Sequence, residues 1–245
     1  MPGHTRCLLL LAGPIWVVCL ALSYPGVAAE SFWDTVLRIT GIAATPSQQR
    51  GAGAGPEAGD IWVINLAQKT RLRLTRNGGY RSPIFLPGDA SLLALKGDAV
   101  MQIPLSGSEP VRLHTVKGVA KLVGVHQEAP DKVLILLTGP DDQHAVGLLS
   151  VQSGQVTPLP YDHQSGDAQR LYRHLQGWER VYGDTTLSIQ DQSTPGGADA
   201  GEWTDVFLKR GDEASVNLSA CKGASCGQPS LSHDGRQIAF VKAER

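Results

Sequence analysis

The stretch "QPSLSHDGRQIAFVKAER" (228–245) ends the chain and decides the fold. It has a polar turn, Ser232-His233-Asp234-Gly235, between two short segments, and the second segment is apolar at Ile238 and Phe240. A turn of this composition between apolar runs predicts a β-hairpin. Because two strands alone are only marginally stable in water, the hairpin needs further strands to pair with.

A second copy of the hairpin lies near the start of the domain. "SPIFLPGDASLLAL" (82–95) aligns with "QPSLSHDGRQIAFV" (228–241). The alignment places Pro83 on Pro229, Phe85 on Leu231, Gly88-Asp89 on Asp234-Gly235, and Leu92 on Ile238. The first copy is followed by a second hairpin pattern at 97–115, and the same pattern recurs at 59–75, 144–160 and 204–219. The repeating unit is therefore four short strands, an inner hairpin followed by an outer one.

The repeat leaves one half-unit at each end of the chain. The inner hairpin at 228–245 has no outer hairpin after it, and the outer hairpin at 59–75 has no inner hairpin before it. Pairing these two halves closes a ring and removes free strand edges. The sequence thus predicts an all-β fold, a β-propeller.

The length of the repeats sets the number of blades. At ~40–45 residues per blade, residues 59–245 predict about four blades. The first three cover 76–115, 116–162 and 163–227, and the fourth is shared between the chain ends. The third is the least regular, and a five-bladed count would have to divide it.

The repeat resembles the TolB-like propeller repeat, within the broader group of WD-repeat-like folds. The residues that carry the resemblance are Pro229-Ser230-Leu231-Ser232-His233-Asp234-Gly235-Arg236-Gln237-Ile238-Ala239-Phe240 and Gly59-Asp60-Ile61-Trp62-Val63-Ile64-Asn65-Leu66. In this chain His233 occupies the position where the usual turn has Pro. The resemblance implies a binding or scaffold role in the cell envelope. TolB itself has six blades and a preceding α/β domain, so its partners are not carried over.

The first 29 residues predict a secretory signal. His4 and Arg6 form a weakly positive start, an apolar segment runs to Leu22, and Val27 and Ala29 supply the small residues before a cut. We therefore expect a mature protein that begins at Glu30 and is periplasmic or secreted, with no membrane span after signal removal. The alternative is an uncleaved anchor, but Gly13-Pro14 interrupts a run that needs roughly 18 apolar residues to span.

Residues 30–58 separate the signal from the propeller. The segment 30–44 has apolar residues at helical spacing, and the following stretch is rich in Gly, Pro and Ala, which is typical of a flexible linker. The helix either docks on a partner or packs on its own propeller.

The two cysteines left after signal removal, Cys221 and Cys226, are predicted to form a disulfide, because exported proteins meet an oxidising compartment. A metal site would need two more ligands nearby, and none has suitable spacing. With 22 Lys plus Arg against 23 Asp plus Glu, net charge does not favour nucleic acid or acidic lipid as a partner.

Candidate site residues are few. Ser232-His233-Asp234 has the residue types of a catalytic triad, but neighbours in a turn do not form that relay. Two acidic loops could reach the channel mouth, although solvated turns are the commoner reading. Trp203 follows a polar insertion at 191–202 and is either an interface aromatic or blade packing. The candidate binding residues are Trp203, Asp141, Asp142, His144, Asp162 and His163.

The sequence favours an exported, non-catalytic propeller that binds an envelope or secreted protein, with no cofactor. The first alternative is a propeller enzyme of the lyase, glycosidase or phosphatase type, with carboxylates and His at one channel mouth. The second is a small-ligand sensor with an apolar pocket.

Overall fold

A computed structural model describes residues 43–45, 57–138, 144–159, 179–193 and 202–244. All of these belong to one compact unit, Phe32–Arg245. In the described part every regular element is a β-strand, and it contains no helix that could cross a membrane.

The strands form four antiparallel sheets, or blades. Blade I contains β4 (Tyr80–Phe85), β5 (Ser91–Lys96), β6 (Ala99–Pro104) and β7 (Val111–Thr115). Blade II contains β8 (Val119–Val125), β9 (Lys132–Thr138), β10 (His144–Ser150) and β11 (Val156–Pro158). Blade III contains β12 (Glu179–Tyr182), β13 (Thr185–Ser193), β14 (Glu202–Arg210) and β15 (Val216–Asn217), with β1 (Ala43–Thr45) added beside β12. Blade IV contains, in spatial order, β16 (Ala224–Leu231), β17 (Gln237–Glu244), β2 (Asp60–Asn65) and β3 (Thr70–Arg73).

Blade IV joins the two ends of the domain. β17 pairs antiparallel with β2, and Ile238 lies opposite Ile64 while Val241 lies opposite Ile61. The four-bladed β-propeller and its closure by the C-terminal inner hairpin and the N-terminal outer hairpin are confirmed.

The alignment of the two inner hairpins is confirmed in detail. The pairing of β4 with β5 shifts register between Arg81 and Ile84, and that of β16 with β17 shifts between Gly227 and Ser230. Ser82 and Gln228, which align with each other, adopt left-handed φ values of 53° and 52°. Both turns close with a backbone hydrogen bond of 3.0 Å, from Asp89 to Leu86 and from Gly235 to Ser232. The matching bulges increase the local twist of each inner strand at the same place.

Blade-to-blade packing explains why the second strands of blades I, II and IV are apolar runs. Successive side chains on a strand point to opposite faces, and both faces of an inner strand are covered by neighbouring blades. In β5, Leu92 and Ala94 join a core cluster with Ile61 and Val63 of blade IV. Leu93 and Leu95 join the cluster shared with blade II. The third cluster joins blades III and IV around Val206 and Phe240.

The predicted disulfide between Cys221 and Cys226 is confirmed, with the two Cα atoms 6.1 Å apart. The predicted boundary of the closing hairpin is wrong by four residues, because β16 begins at Ala224 and already includes Cys226. β16 continues past Gly227 and through the bulge at Gln228 without ending there.

The segment before the propeller differs from its prediction where it is described. The sequence predicts the end of a helix and the start of a linker at Ala43–Thr45, yet this segment is a strand that pairs with β12. The edge of β12 offers unpaired backbone groups, and a short segment in reach satisfies them. The remainder of 1–58, apart from 57–58, lies outside the described residues.

Candidate functional site: the channel mouth

The first strands of all four blades end at one cavity of about 400 Å³. β4 contributes Phe85, the end of β8 contributes Val125, the β12–β13 turn contributes Asp184, and β16 with its turn contributes Leu231 and Asp234. The cavity is therefore one mouth of the central channel. A volume in this range is typical of ligand pockets.

The turns of blades I and IV are fastened together at this mouth. The carboxylate of Asp89, in the β4–β5 turn, accepts hydrogen bonds from the backbone N–H groups of His233 and Asp234, each at 3.0 Å. Its Oδ1 also lies 3.0 Å from Nδ1 of His233. The two aligned turns thus hold each other across the blade boundary, and the rim is fixed by three contacts rather than by packing alone.

The turn Ser232-His233-Asp234 is structural, as predicted. The Ser232 hydroxyl donates to Asp234 at 2.7 Å, whereas the His233 ring faces Asp89 of the neighbouring blade. Hydrogen bonds from Ser232 and from the Arg236 N–H hold the pKa of the Asp234 carboxyl below its ordinary value. Because the serine hydroxyl is bound to a carboxylate and not to an imidazole, this turn has no nucleophile–base relay.

Blade III supplies the remaining side of the mouth. Asp184 is exposed, and its carboxylate accepts a hydrogen bond of 3.1 Å from the Thr185 hydroxyl. The hydroxyl of Tyr182 is buried and has no hydrogen-bond partner in the described part of the chain.

The arrangement is suited to binding. Its apolar surface comes from side chains such as Ile84 and Phe85, and both acidic side chains that line it, Asp184 and Asp234, are exposed to solvent. Among the described residues no group of three or more His, Cys, Asp or Glu could hold a metal ion.

The candidate residues from the sequence do not line this mouth where they are described. β10 begins at His144, at the end of blade II opposite to the mouth, and the side chain of His144 is outside the described residues. Asp141, Asp142, Asp162 and His163 are also outside them. Trp203 lies near the start of β14, again at the far end of its blade, and is partly buried.

Trp203 belongs to a network that sequence reasoning missed. Its ring N–H donates to Asp205, which is only 2% exposed, at 3.1 Å. Asp205 also accepts hydrogen bonds from Asn217 at 2.9 Å, Ser219 at 2.8 Å and the Cys221 N–H at 2.6 Å. Asp205 thereby ties β14 to the disulfide loop.

Blade IV repeats this network with other residues. Asp60 accepts from the Thr75 hydroxyl at 3.0 Å and from the Gly78 N–H at 2.9 Å, and the Thr75 oxygen accepts the N–H of Ile61 at 2.8 Å. In blade III the Ser219 oxygen accepts the N–H of Val206, also at 2.8 Å. The sequence feature that could have indicated these networks is an Asp in the third strand of a blade together with a Ser or Thr just after the fourth strand.

Comparisons with known proteins give the following. No protein-family model and no curated protein matches the chain. Among solved structures, a putative TolB from Agrobacterium tumefaciens matches at 15% identity with a TM-score of 0.37, over 77% of this chain and 62% of that one. An AtxE2 isopeptidase variant with astexin3-dC4 bound matches at 10% identity with a TM-score of 0.27, over 82% and 42%.

This chain therefore spans less than two thirds of the length of either structure. The four-bladed assignment rests on the strand pairings of this chain.

Proposed function

We propose that the protein is an exported scaffold that holds a protein partner at the channel mouth and catalyses no reaction. The observation that carries the proposal is the cavity built from all four blades, with its rim fastened by Asp89 across a blade boundary. A preformed concave surface loses little conformational freedom on binding, which favours affinity.

The chemistry of the mouth narrows the partner. Its apolar floor fits an apolar side chain, and its exposed carboxylates, Asp184 and Asp234, fit a neighbouring lysine or arginine. A protein segment with this pair of features is the partner that the site supports best.

Export is part of the proposal. The Cys221–Cys226 disulfide fits an envelope or extracytoplasmic compartment, where such bonds persist. The residues before Glu30 have the composition of a secretory signal. N-terminal sequencing of the protein from its native compartment should begin at Glu30, and a protein that retains Met1 would contradict this step.

The partner is tested by site-specific photocrosslinking in the native compartment. A photoreactive side chain at Gln127, an exposed residue of the mouth, should capture a discrete protein. The same group at Asp98, exposed at the opposite end of blade I, is the matched control. Asp184→Lys should reduce capture from Gln127, because it places a like charge beside the partner's basic group. Equal capture from both positions would contradict the proposal.

The enzyme alternative has its own decisive outcome. If the purified protein turns over a substrate, and changing Asp141, Asp142, His144, Asp162 or His163 abolishes turnover while the fold is retained, the scaffold proposal fails.

A further inference from the structure

The outer edge of blade IV is a basic surface. Lys69, Arg71, Arg73 and Arg76 lie in and beside β3, and no carboxylate occurs between Asp60 and Asp89. The other outer edges differ. β7 and its flanks carry only Arg112 and Lys117 as cations, together with Glu109. β11 lies in a stretch, 145–159, without charged residues, and the turn before β15 carries Asp212 and Glu213. Because the whole chain is nearly neutral, this concentration of positive charge is specific to one edge.

The backbone of β3 is available on its outer side. The N–H of Leu74 donates to the carbonyl of Ile61, so the backbone N–H of Leu74 faces β2. Hydrogen-bonded pairs alternate along an antiparallel ladder, so Leu72 also faces β2, whereas the N–H and C=O groups of Arg71 and Arg73 point away from it. No strand in the described part of the chain pairs with this outer edge.

The side chains divide into held and exposed groups. Arg73 is paired with Asp60 at 2.6 Å, and Arg71 donates to the carbonyl of Leu218 in blade III at 2.7 Å. Lys69 and Arg76 are exposed, one at each end of the strand. Between them Leu72 is 48% exposed, which makes it one of the few large apolar side chains at the surface.

We propose that the outer edge of β3 binds an extended acidic segment of a protein partner, which adds as a fifth strand to blade IV. The outward backbone groups of Arg71 and Arg73 pair with the added strand, and Leu72 packs against its apolar side chains. Acidic residues at the two ends of the added strand pair with Lys69 and Arg76. Strand addition to an exposed edge is a general mode of peptide recognition, in which backbone bonds give affinity and side chains give specificity.

The geometry favours a strand over an anionic surface. Arg73 is paired with Asp60 and Arg71 donates to the carbonyl of Leu218, so Lys69 and Arg76 are the two exposed cations that have neither kind of partner in the described contacts. A flat anionic surface would use the projecting cations alone and would ignore the backbone edge. The surface lies on the outside of blade IV and is separate from the residues that line the channel mouth.

The charge requirement is tested with two fluorescent peptides, EETVTVTEE and KKTVTVTKK, by anisotropy on the full chain. The acidic peptide should bind at least about tenfold more tightly at low ionic strength. The double variant Lys69→Glu/Arg76→Glu should reverse the preference. Lys117→Glu/Lys222→Glu, which changes the same net charge at two other exposed lysines, should leave the preference for the acidic peptide in place.

The backbone requirement is tested at Arg71. Arg71→Ala removes only the guanidinium, whereas Arg71→Pro also removes the outward N–H without removing a β2–β3 ladder bond. We expect Arg71→Pro to bind the acidic peptide several-fold more weakly than Arg71→Ala, with cooperative melting retained in both. If Arg71→Pro does not fold, the charge-reversal pair still decides the proposal.

Three results would overturn the inference. The first is equal binding of both peptides by the unchanged chain, and the second is an unchanged preference in the Lys69→Glu/Arg76→Glu variant. The third is an affinity for phosphatidylglycerol vesicles that equals the affinity for the acidic peptide and does not change in the Arg71→Pro variant. This result would show that the edge binds an anionic surface.

Discussion

At the scale of single residues, one buried and one half-buried carboxylate organise the outer halves of blades III and IV. Asp205 and Asp60 each accept a Ser or Thr hydroxyl and a backbone N–H beyond the fourth strand. These bonds satisfy donors that burial would otherwise leave unpaired, and unpaired buried groups are costly. The two carboxylates are therefore structural groups that fix where each fourth strand ends.

Asp205→Ala should destabilise the protein by about 3 kcal/mol, because it leaves the donors of Ser219, Cys221 and Asn217 without their acceptor. Urea unfolding measures the change. The control is Asp212→Ala, at an exposed turn, which should shift stability by less than about 0.5 kcal/mol. Equal effects at the two positions would contradict the structural role of Asp205.

The same residue predicts a pH dependence. Burial raises the pKa of Asp205, but hydrogen bonds from Cys221, Asn217, Ser219 and Trp203 outweigh it and lower the pKa below its ordinary value. A lowered folded-state pKa stabilises the protein above the unfolded pKa of about 3.9, and this contribution is lost as the pH falls through the folded pKa. The stability gap between the unchanged protein and Asp205→Asn should therefore narrow below about pH 4. A gap that widens in acid would show that the sign is wrong.

Residue-level prediction from sequence succeeded where the two copies keep the same kinds of turn residue at the same spacing. The turn alignment that places Gly88-Asp89 on Asp234-Gly235 holds because the turn geometry is the same in both hairpins. It failed where equivalent positions carry different residues, as with Thr75 and Ser219, which share a role but lie in dissimilar surroundings. The left-handed backbone at Ser82 and Gln228 was also not predictable, since neither is Gly.

At the scale of strands, burial separates inner strands from outer ones. The second strands β5, β9 and β17 each contain four successive buried residues, whereas β3 and β7 are mostly exposed. An outer strand covers only its neighbour, while an inner strand is enclosed by two blades. Sequence predicted these strands well, since an apolar run or an alternation indicates each kind.

A substitution at Ile238 tests whether the closing strand β17 is buried. It is fully buried in β17, so Ile238→Asp places an unpaired charge in the core and should abolish cooperative folding or cause aggregation. The matched control is Val111→Asp in the outer strand β7, where the side chain is 55% exposed. Circular dichroism melts of the two variants compare them. A stable, cooperative Ile238→Asp protein would contradict the burial of β17.

The disulfide should stabilise the entry to β16 by about 2 kcal/mol on the loop-entropy account, because the ring it closes is small. The double variant Cys221→Ala/Cys226→Ala should lose that amount in urea unfolding. When protein from its native compartment is unfolded and alkylated without reductant, no thiol should be detected at either position. Two free thiols would contradict the bond.

At the scale of the whole molecule, the first and last strands of the ring, β2 and β17, meet in one sheet, and this closes the ring around the mouth. The need for closure was predictable, because each chain end carried half of a repeat unit. The cavity was not predictable from the sequence, because the residues that line it are distant along the chain: Phe85, Val125, Tyr182 and Leu231. Sequence patterns indicate that strands pair, but not which loops share an end of the ring, so they do not show whether a loop between 139 and 163 reaches the mouth.

Removal of residues 228–245 should expose the edge of β2 and give an aggregating protein rather than a shorter stable one. Size-exclusion chromatography of the 1–227 chain beside the full chain measures this. A soluble 1–227 chain of unchanged stability would show that the shared blade is not required.

The most direct test of the account is the nuclear Overhauser contact between β17 and β2. Leu66 donates to Arg236 across this pair of strands, so the alternation makes Val63–Ala239 and Ile61–Val241 the non-hydrogen-bonded pairs, whose Cα hydrogens lie closest. Ring closure predicts strong Hα–Hα cross-peaks for both pairs in the folded protein. A folded protein without these cross-peaks would contradict the closed four-bladed ring.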